Sequence, residues 1–244
     1  MRVARAVLPA LAAVLLLIVA PAQASAAGPV YSGTGWQIAT KDGIHSLDTK
    51  GPYLFTFADS ASRTRLTPYA QAVAAQLHDV TGLTFTVTAT IEAPPTSGCP
   101  AEHHLILGVK YRPSGIAGMS WAGNCYTNRP GQADDHAAWG GVTWLDSEYW
   151  STSSWFSSDP TVNTAKTKNA VTHEIGHLIG LDHPNRDLDG DGTVENFECA
   201  KTYYGYLPVM CSPNGGYNTA SGGGQFTSID TLGLRQLVAN YGLG

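Results

Sequence analysis

Charge is scarce in this sequence. Only 14% of its 244 residues are Asp, Glu, Lys or Arg, and 14 basic residues face 19 acidic ones. A net charge of −5 with no basic block argues against nucleic acid or an anionic membrane as the main partner. Disorder is excluded too, because 43% of the residues are hydrophobic and 9% aromatic. Beyond Ala20 no apolar run is long enough to cross a bilayer. No repeat is visible. Cysteine is sparse, with four in all and none before Cys99, and no two have the close spacing of a zinc knuckle.

The one long apolar run comes first. Arg2 and Arg5 precede apolar residues Ala6 to Ala20, and Ala24-Ser25-Ala26 follows as a small-x-small cleavage pattern. A membrane anchor would need a longer span, so residues 1–26 read as a secretory signal peptide removed after Ala26. Loss of Arg2 and Arg5 takes the net charge from −5 to −7. The remaining 218 residues suffice for one domain with one core, expected to be secreted, extracellular and monomeric. An even number of cysteines in such a chain implies two disulfides. Sequence proximity alone favours Cys99–Cys125 and Cys199–Cys211 among three pairings.

The densest chemistry lies at His173-Glu174-Ile175-Gly176-His177-Leu178-Ile179-Gly180-Leu181-Asp182-His183. On a helix, His173 and His177 share one face and can grip one metal, with Glu174 in reach of a bound water. Gly180 accepts the left-handed conformation that ends a helix, so the chain can turn and bring in His183. Three protein nitrogens on zinc leave a fourth position for water, the pattern of a catalytic site. A core helix with incidental histidines is the plainer alternative, but such helices rarely carry His, Glu and His on one turn.

These five positions (His173, Glu174, His177, Gly180 and His183) resemble the long zinc motif of the metzincin metalloproteases, in a matrixin-like form. That family also has a methionine in a tight turn under the zinc, and Met210 in Leu-Pro-Val-Met-Cys-Ser-Pro matches it. The resemblance covers about 169–210 closely and the rest only in topology. It implies an α+β fold: a twisted mixed β-sheet, two long helices, an active-site helix, a Met-turn and a C-terminal helix. Two departures stand out. The stretch between His183 and Met210 is much longer than in the matrix-degrading branch. Ser212 occupies the place of the tyrosine ligand of the astacin-like branch. Relatives often block the zinc with a pro-region cysteine, and that route is closed here at the N-terminal side.

Local patterns fill in the remainder. Residues 27–50 read as an N-terminal arm or short pro-segment, and 51–244 as the catalytic domain. Tyr53 to Phe57, Leu83 to Ile91, Leu105 to Tyr111 and Ala138 to Leu145 read as strands. Thr67-Pro68 suggests a helix start and Gly82 its stop. Gly115 to Asn124 suggests a fourth strand, whose Ala117 to Ala122 is the candidate for taking substrate backbone as an added strand. Asp159-Pro160 opens the active-site helix, with Val171, Ile175 and Leu178 toward the core. Thr227 or Ser228 caps a last helix carrying Leu234, Leu237, Val238 and Tyr241. By the same resemblance, Asn214 to Gln225 lines the pocket for the side chain after the scissile bond, with Tyr217 there or in packing. A metal at Asp134, Asp135 and His136 is open, although a solvated loop is the plainer reading, as it is for His103-His104.

Asp187, Asp189, Asp191, Gly192, Thr193, Glu195 and Glu198 occupy positions of a calcium loop of the EF-hand kind. Asp187, Asp189, Asp191, Thr193 and Glu198 are the candidate calcium ligands, against the alternative of an acidic surface turn. His183-Pro184 excludes a normal entering helix, so a lone loop is expected. Zn²⁺ and Ca²⁺ are thus the expected cofactors, and a protein or peptide the expected substrate. Glu174 is the expected base in peptide-bond hydrolysis. Two other outcomes stay open: a zinc amidase acting on a cell-wall amide, and a binding module without catalysis.

Overall fold

The computed structural model describes residues 28–128 and 136–241. The expected signal segment, Asp134 and Asp135 lie outside the described residues. In chain order the elements are β1 (Ser32–Gly33), β2 (Trp36–Ile38), β3 (Ile44–Leu47), β4 (Tyr53–Phe57) and α1 (Ser60–Thr81). They continue with β5 (Phe85–Ile91), β6 (His104–Lys110), β7 (Trp121–Asn128), β8 (His136–Asp146), α2 (Pro160–Leu178), β9 (Leu181–Asp182) and α3 (Ser228–Tyr241). The fold is α+β, with a largely parallel sheet and, among the described residues, three α-helices.

The main sheet runs β3-β8-β6-β4-β5, with β7 on the other side of β8. Every pairing in it is parallel except β7 with β8. Central β4 is buried along nearly all its length: Tyr53, Phe55 and Phe57 are inaccessible to solvent, as expected for a strand covered on both faces. Helices α1 and α2 touch each other and lie on the sheet, while α3 packs on β2, β3 and α1. Leu66, Val73 and Leu77 of α1, Val171, Ile175 and Leu178 of α2 and Leu234 and Leu237 of α3 close one continuous core. Each such side chain stabilises by about 1.5–3 kcal/mol on burial, and those of α2 fix its rotation.

Helix ends follow their residues. The Asp59 carboxylate accepts the Ser62 N–H at 2.7 Å, so α1 starts two turns before Thr67-Pro68. Pro68 lies inside the helix on its exposed face. There the carbonyl it leaves without a helical donor, on exposed Thr64, meets water. Periodicity misses the first turns because only Ser62 and Leu66 are buried in them. Asp159 caps α2 as expected, accepting from Thr161 and Val162 N–H groups.

A second difference concerns the stretch 115–124, where only Trp121 to Asn124 are strand. Gly115 and Gly118 have φ of 81° and 68°, which turns the chain before the ladder can start. The Gly118 N–H is held by the carboxylates of Asp146 and Glu148 at 2.8 and 3.1 Å. Arg112 clamps Glu148 through Nε and Nη2. The 111–120 stretch is therefore a latched loop.

Residues 32–47 are woven into both sheets. β2 pairs antiparallel with β9, Ile38 opposite Leu181, and β3 pairs parallel with β8. The Ala39 N–H donates to the Gly180 carbonyl at 2.9 Å. Ile38 is fully buried, so truncation to alanine opens a cavity. Ile38→Ala is expected to cost ~2–5 kcal/mol in urea denaturation. A loss under ~0.5 kcal/mol would mean that this segment is a dispensable arm.

Candidate metal centre

The centre is built from the end of α2 and the turn after it. His173 and His177 stand one turn apart, and α2 ends at Leu178. Gly180 has φ of 104°, a conformation that strains any side chain, and its N–H returns to the His177 carbonyl at 3.0 Å. The chain then reverses through β9, which β2 holds in register, and delivers His183. Buried Asp182 secures that delivery. Its Oδ1 accepts the His183 N–H at 2.8 Å and the Lys41 ammonium at 3.0 Å.

The three Nε2 atoms converge, with separations of 2.9 Å (His173–His183), 3.1 Å (His173–His177) and 3.0 Å (His177–His183). These are hydrogen-bond lengths, yet no proton lies between His173 and His177. The His173 Nδ1 faces the Val209 carbonyl at 2.8 Å, and the His177 Nδ1 faces the Leu181 carbonyl at 2.9 Å. A carbonyl only accepts, so both Nδ1 atoms carry the proton and both Nε2 atoms present lone pairs to each other. Such a contact is repulsive until a cation joins the lone pairs. Burial, followed by the neighbouring imidazole, lowers the pKa of all three: His173 to about 3, His177 and His183 to about 4. Neutral imidazoles in this array can hold a divalent metal, and the N-only, three-ligand set suits zinc.

The floor comes from a distant part of the chain. Met210 is buried against Gly176, where a Cβ would fall 2.4 Å from its Sδ. Only glycine allows that approach between the two helical histidines. The turn carrying Val209 and Met210 is held by Asp230 of α3. Its carboxylate accepts the Val209 N–H at 2.8 Å and the Met210 N–H at 3.2 Å, and also the Thr227 N–H and hydroxyl. Asp230 is fully buried, and burial raises its pKa. Sequence reading saw the Thr227 cap but missed Asp230, although Thr-Ser-Ile-Asp is a capping-box pattern that marks it. Asn185 adds a second brace, exchanging bonds with the Ser212 backbone at 2.8 and 3.0 Å. The Cys199–Cys211 bond closes the same turn, while Cys99–Cys125 ties the loop before β6 to β7.

A cleft of about 490 Å³ lies over the histidines, lined by Glu174, Tyr149, Trp121, Asn124, Lys41 and Pro213 among others. Glu174 faces it and accepts no hydrogen bond from the described residues. Burial raises its pKa to about 8. Tyr149 donates to the Gly118 carbonyl and accepts from Ser120, which fixes the cleft rim. Burial lifts its pKa to about 12. Strand β7 borders the cleft and, among the described residues, is bonded on one side only. Residues 214–225 are held against α2. Asn169 of α2 binds the carbonyls of Gly215 and Tyr217 and the Gly224 N–H, and Tyr217 packs on Tyr206. Among the described residues this segment contributes nothing to the cleft lining.

The acidic loop gathers its residues in two groups with carboxylate oxygens within 4.8 Å: Asp187, Asp189 and Glu198, then Asp189, Asp191 and Glu195. The Thr193 N–H donates to Asp191 Oδ1 at 2.8 Å. Glu198 accepts the N–H groups of Glu195, Leu188 and Asp189, which lowers its pKa to about 2. His136 stacks on Tyr126 with ring centroids 4.0 Å apart.

No family model matches the chain, and no curated protein matches it. Among solved structures it is similar to a zinc-dependent peptidase from Methanocorpusculum labreanum (strain Z). The identity is 17% and the TM-score 0.33, over 75% of this chain and 100% of that one. At that level the likeness carries no argument about this chain.

Two outcomes follow from the geometry. Asp230→Ala strands the Val209 and Met210 N–H groups and is expected to cost ~2–4 kcal/mol in urea denaturation. It should also weaken zinc binding ~10–100-fold in a chelator competition. The second concerns pH in chelated protein. Glu174 has its pKa raised from 4.5 to about 8, so its stability contribution is fully present below 4.5 and lost as pH rises through 8. The histidines, lowered from 6.5, act oppositely: stability is present above 6.5 and falls with pH toward 4. Chelated Glu174→Gln should therefore exceed chelated wild type by ~1–3 kcal/mol at about pH 8 and match it near pH 4.5.

Proposed function

We propose that the protein is a secreted zinc endopeptidase of metzincin type that hydrolyses peptide bonds in extracellular proteins. The observation that carries this reading is the convergence of three neutral imidazole nitrogens beside an unpartnered carboxylate in an open cleft. His173, His177 and His183 would hold the zinc, which when bound lowers the pKa of its water to about 7 and polarises the scissile carbonyl. Glu174 draws the proton from the attacking water as the new C–O bond forms. It returns that proton to the nitrogen as the C–N bond breaks. The free edge of β7 would take the substrate backbone as an added antiparallel strand, with the latched 111–120 loop holding the near rim. Tautomer control by Val209 and Leu181 keeps the ligands oriented.

Three further parts belong to the same reading. Residues 1–26 direct secretion and are removed after Ala26. Asp187, Asp189, Asp191, Thr193 and Glu198 would hold one Ca²⁺ in the acidic loop, which would then brace the segment from His183 to Met210. The disulfides and the lack of any membrane-crossing helix among the described residues support an extracellular setting.

Digestion of denatured casein tests the reading, with peptidoglycan alongside. Chelation should abolish casein cleavage and zinc restore it. Glu174→Ala should keep its zinc and lose ~10²–10⁴-fold in kcat/KM. Glu174→Ala cleaving as fast as wild type would sink the mechanism, and turnover of peptidoglycan alone would make it an amidase. Calcium should raise the thermal midpoint of wild type and leave that of Asp189→Asn unmoved.

A further inference from the structure

A second mixed nitrogen and oxygen cluster lies away from the cleft, where residues 48–51 leave β3 and the chain enters β6. Ligand atoms of Asp48, Glu102 and His103 lie within 4.8 Å of one another. Asp48 is 2% exposed, a burial that carboxylates rarely accept unless paired. Its Oδ1 accepts the Lys50 N–H at 2.8 Å. The Asp48 Oδ2 faces the His103 Nε2 at 3.8 Å, too far for a hydrogen bond.

That nitrogen is the anomaly. His103 Nε2 is buried and has no hydrogen-bond partner among the described residues, and its side chain is 86% covered. The ring is held in place: it meets Tyr53 edge-on at 5.1 Å and lies against Gly51, where a Cβ would fall 2.6 Å from Nδ1. The backbone at His103 is left-handed, with φ of 63°. A buried nitrogen without a partner costs stability. It is also 3.8 Å from a buried carboxylate oxygen, a distance that two ligands about 2.0–2.2 Å from a common zinc can span. Glu102 is exposed, and its carboxylate already lies within 4.8 Å of the ligand atoms of Asp48 and His103.

We propose that Asp48, His103 and Glu102 form a second zinc site, independent of the His173–His183 centre. The charge balance suits it: two carboxylates and one imidazole offset a dication. Bound there, zinc would clamp the turn after β3 to the start of β6. It would thus tie the N-terminal segment that positions His183 to the middle of the sheet. Its ligands take no part in the cleft, and a water would complete the four-coordinate shell.

Zinc content separates the two centres. Full-length secreted protein is dialysed against buffered micromolar free zinc with calcium in excess, and then analysed for metal. Wild type is expected to hold about two zinc ions per chain, and His103→Asn or Asp48→Asn about one. His177→Ala should also hold about one, and His103→Asn combined with His177→Ala none. Asparagine tolerates the left-handed backbone at 103, so His103→Asn is expected to fold, which near-UV circular dichroism checks. One zinc in wild type, lost in His177→Ala and kept in His103→Asn, would overturn this proposal and leave the catalytic reading standing. One zinc lost in His103→Asn and kept in His177→Ala would uphold it and remove the catalytic reading.

Discussion

Two backbone carbonyls hold the centre of this molecule. Val209 and Leu181 each take the Nδ1 proton of a helical histidine, and that forces two Nε2 lone pairs into one small volume. Everything around them serves to keep those carbonyls still. Val209 belongs to a turn pinned by Asp230, Asn185 and the Cys199–Cys211 bond. Leu181 belongs to a two-residue strand kept in register by β2. Lone pairs so placed repel one another, and the cost is met by the core packing of α2 and recovered when a cation arrives.

The centre therefore depends on segments far apart in sequence. Residues 36–44 reach it through β2 and Lys41, and Asp230 reaches it from the C-terminal helix. β2 and Asp230 act on the backbone of a ligand segment and Lys41 on the Asp182 carboxylate that holds the His183 N–H. Such supports orient a metal site as much as the ligands do, and they explain why one domain must close before the histidines meet.

The clustering of His173, His177 and His183 was legible because helix periodicity and one glycine dictate their geometry over eleven residues. The strands Tyr53 to Phe57 and Ala138 to Leu145, the Asp159 cap and both disulfides were legible for equally local reasons. What escaped is non-local. Asp230 looks like a cap and acts as one, and nothing in its neighbourhood tells that it also binds the turn at Val209. Residues 36–38 form a strand only because β9 offers an edge, and their Gly- and Thr-rich surroundings carry no alternation. Thr67-Pro68 misled because proline is tolerated on an exposed helical face once Asp59 has started the helix. The 115–120 loop misled because carboxylates of Asp146 and Glu148, remote in sequence, hold Gly118 away from the ladder. Asn169 drew the Gly-rich 214–225 segment onto α2, a placement that family resemblance alone did not give.

The account stands on three imidazole nitrogens sharing one zinc with one position left open. Zinc K-edge X-ray absorption on protein loaded with about one equivalent of zinc tests that most directly. The account predicts about four light ligands at ~2.0–2.1 Å, with the outer-shell scattering of about three imidazoles. A sulfur shell near ~2.3 Å, or a light-atom shell without imidazole scattering, would contradict it.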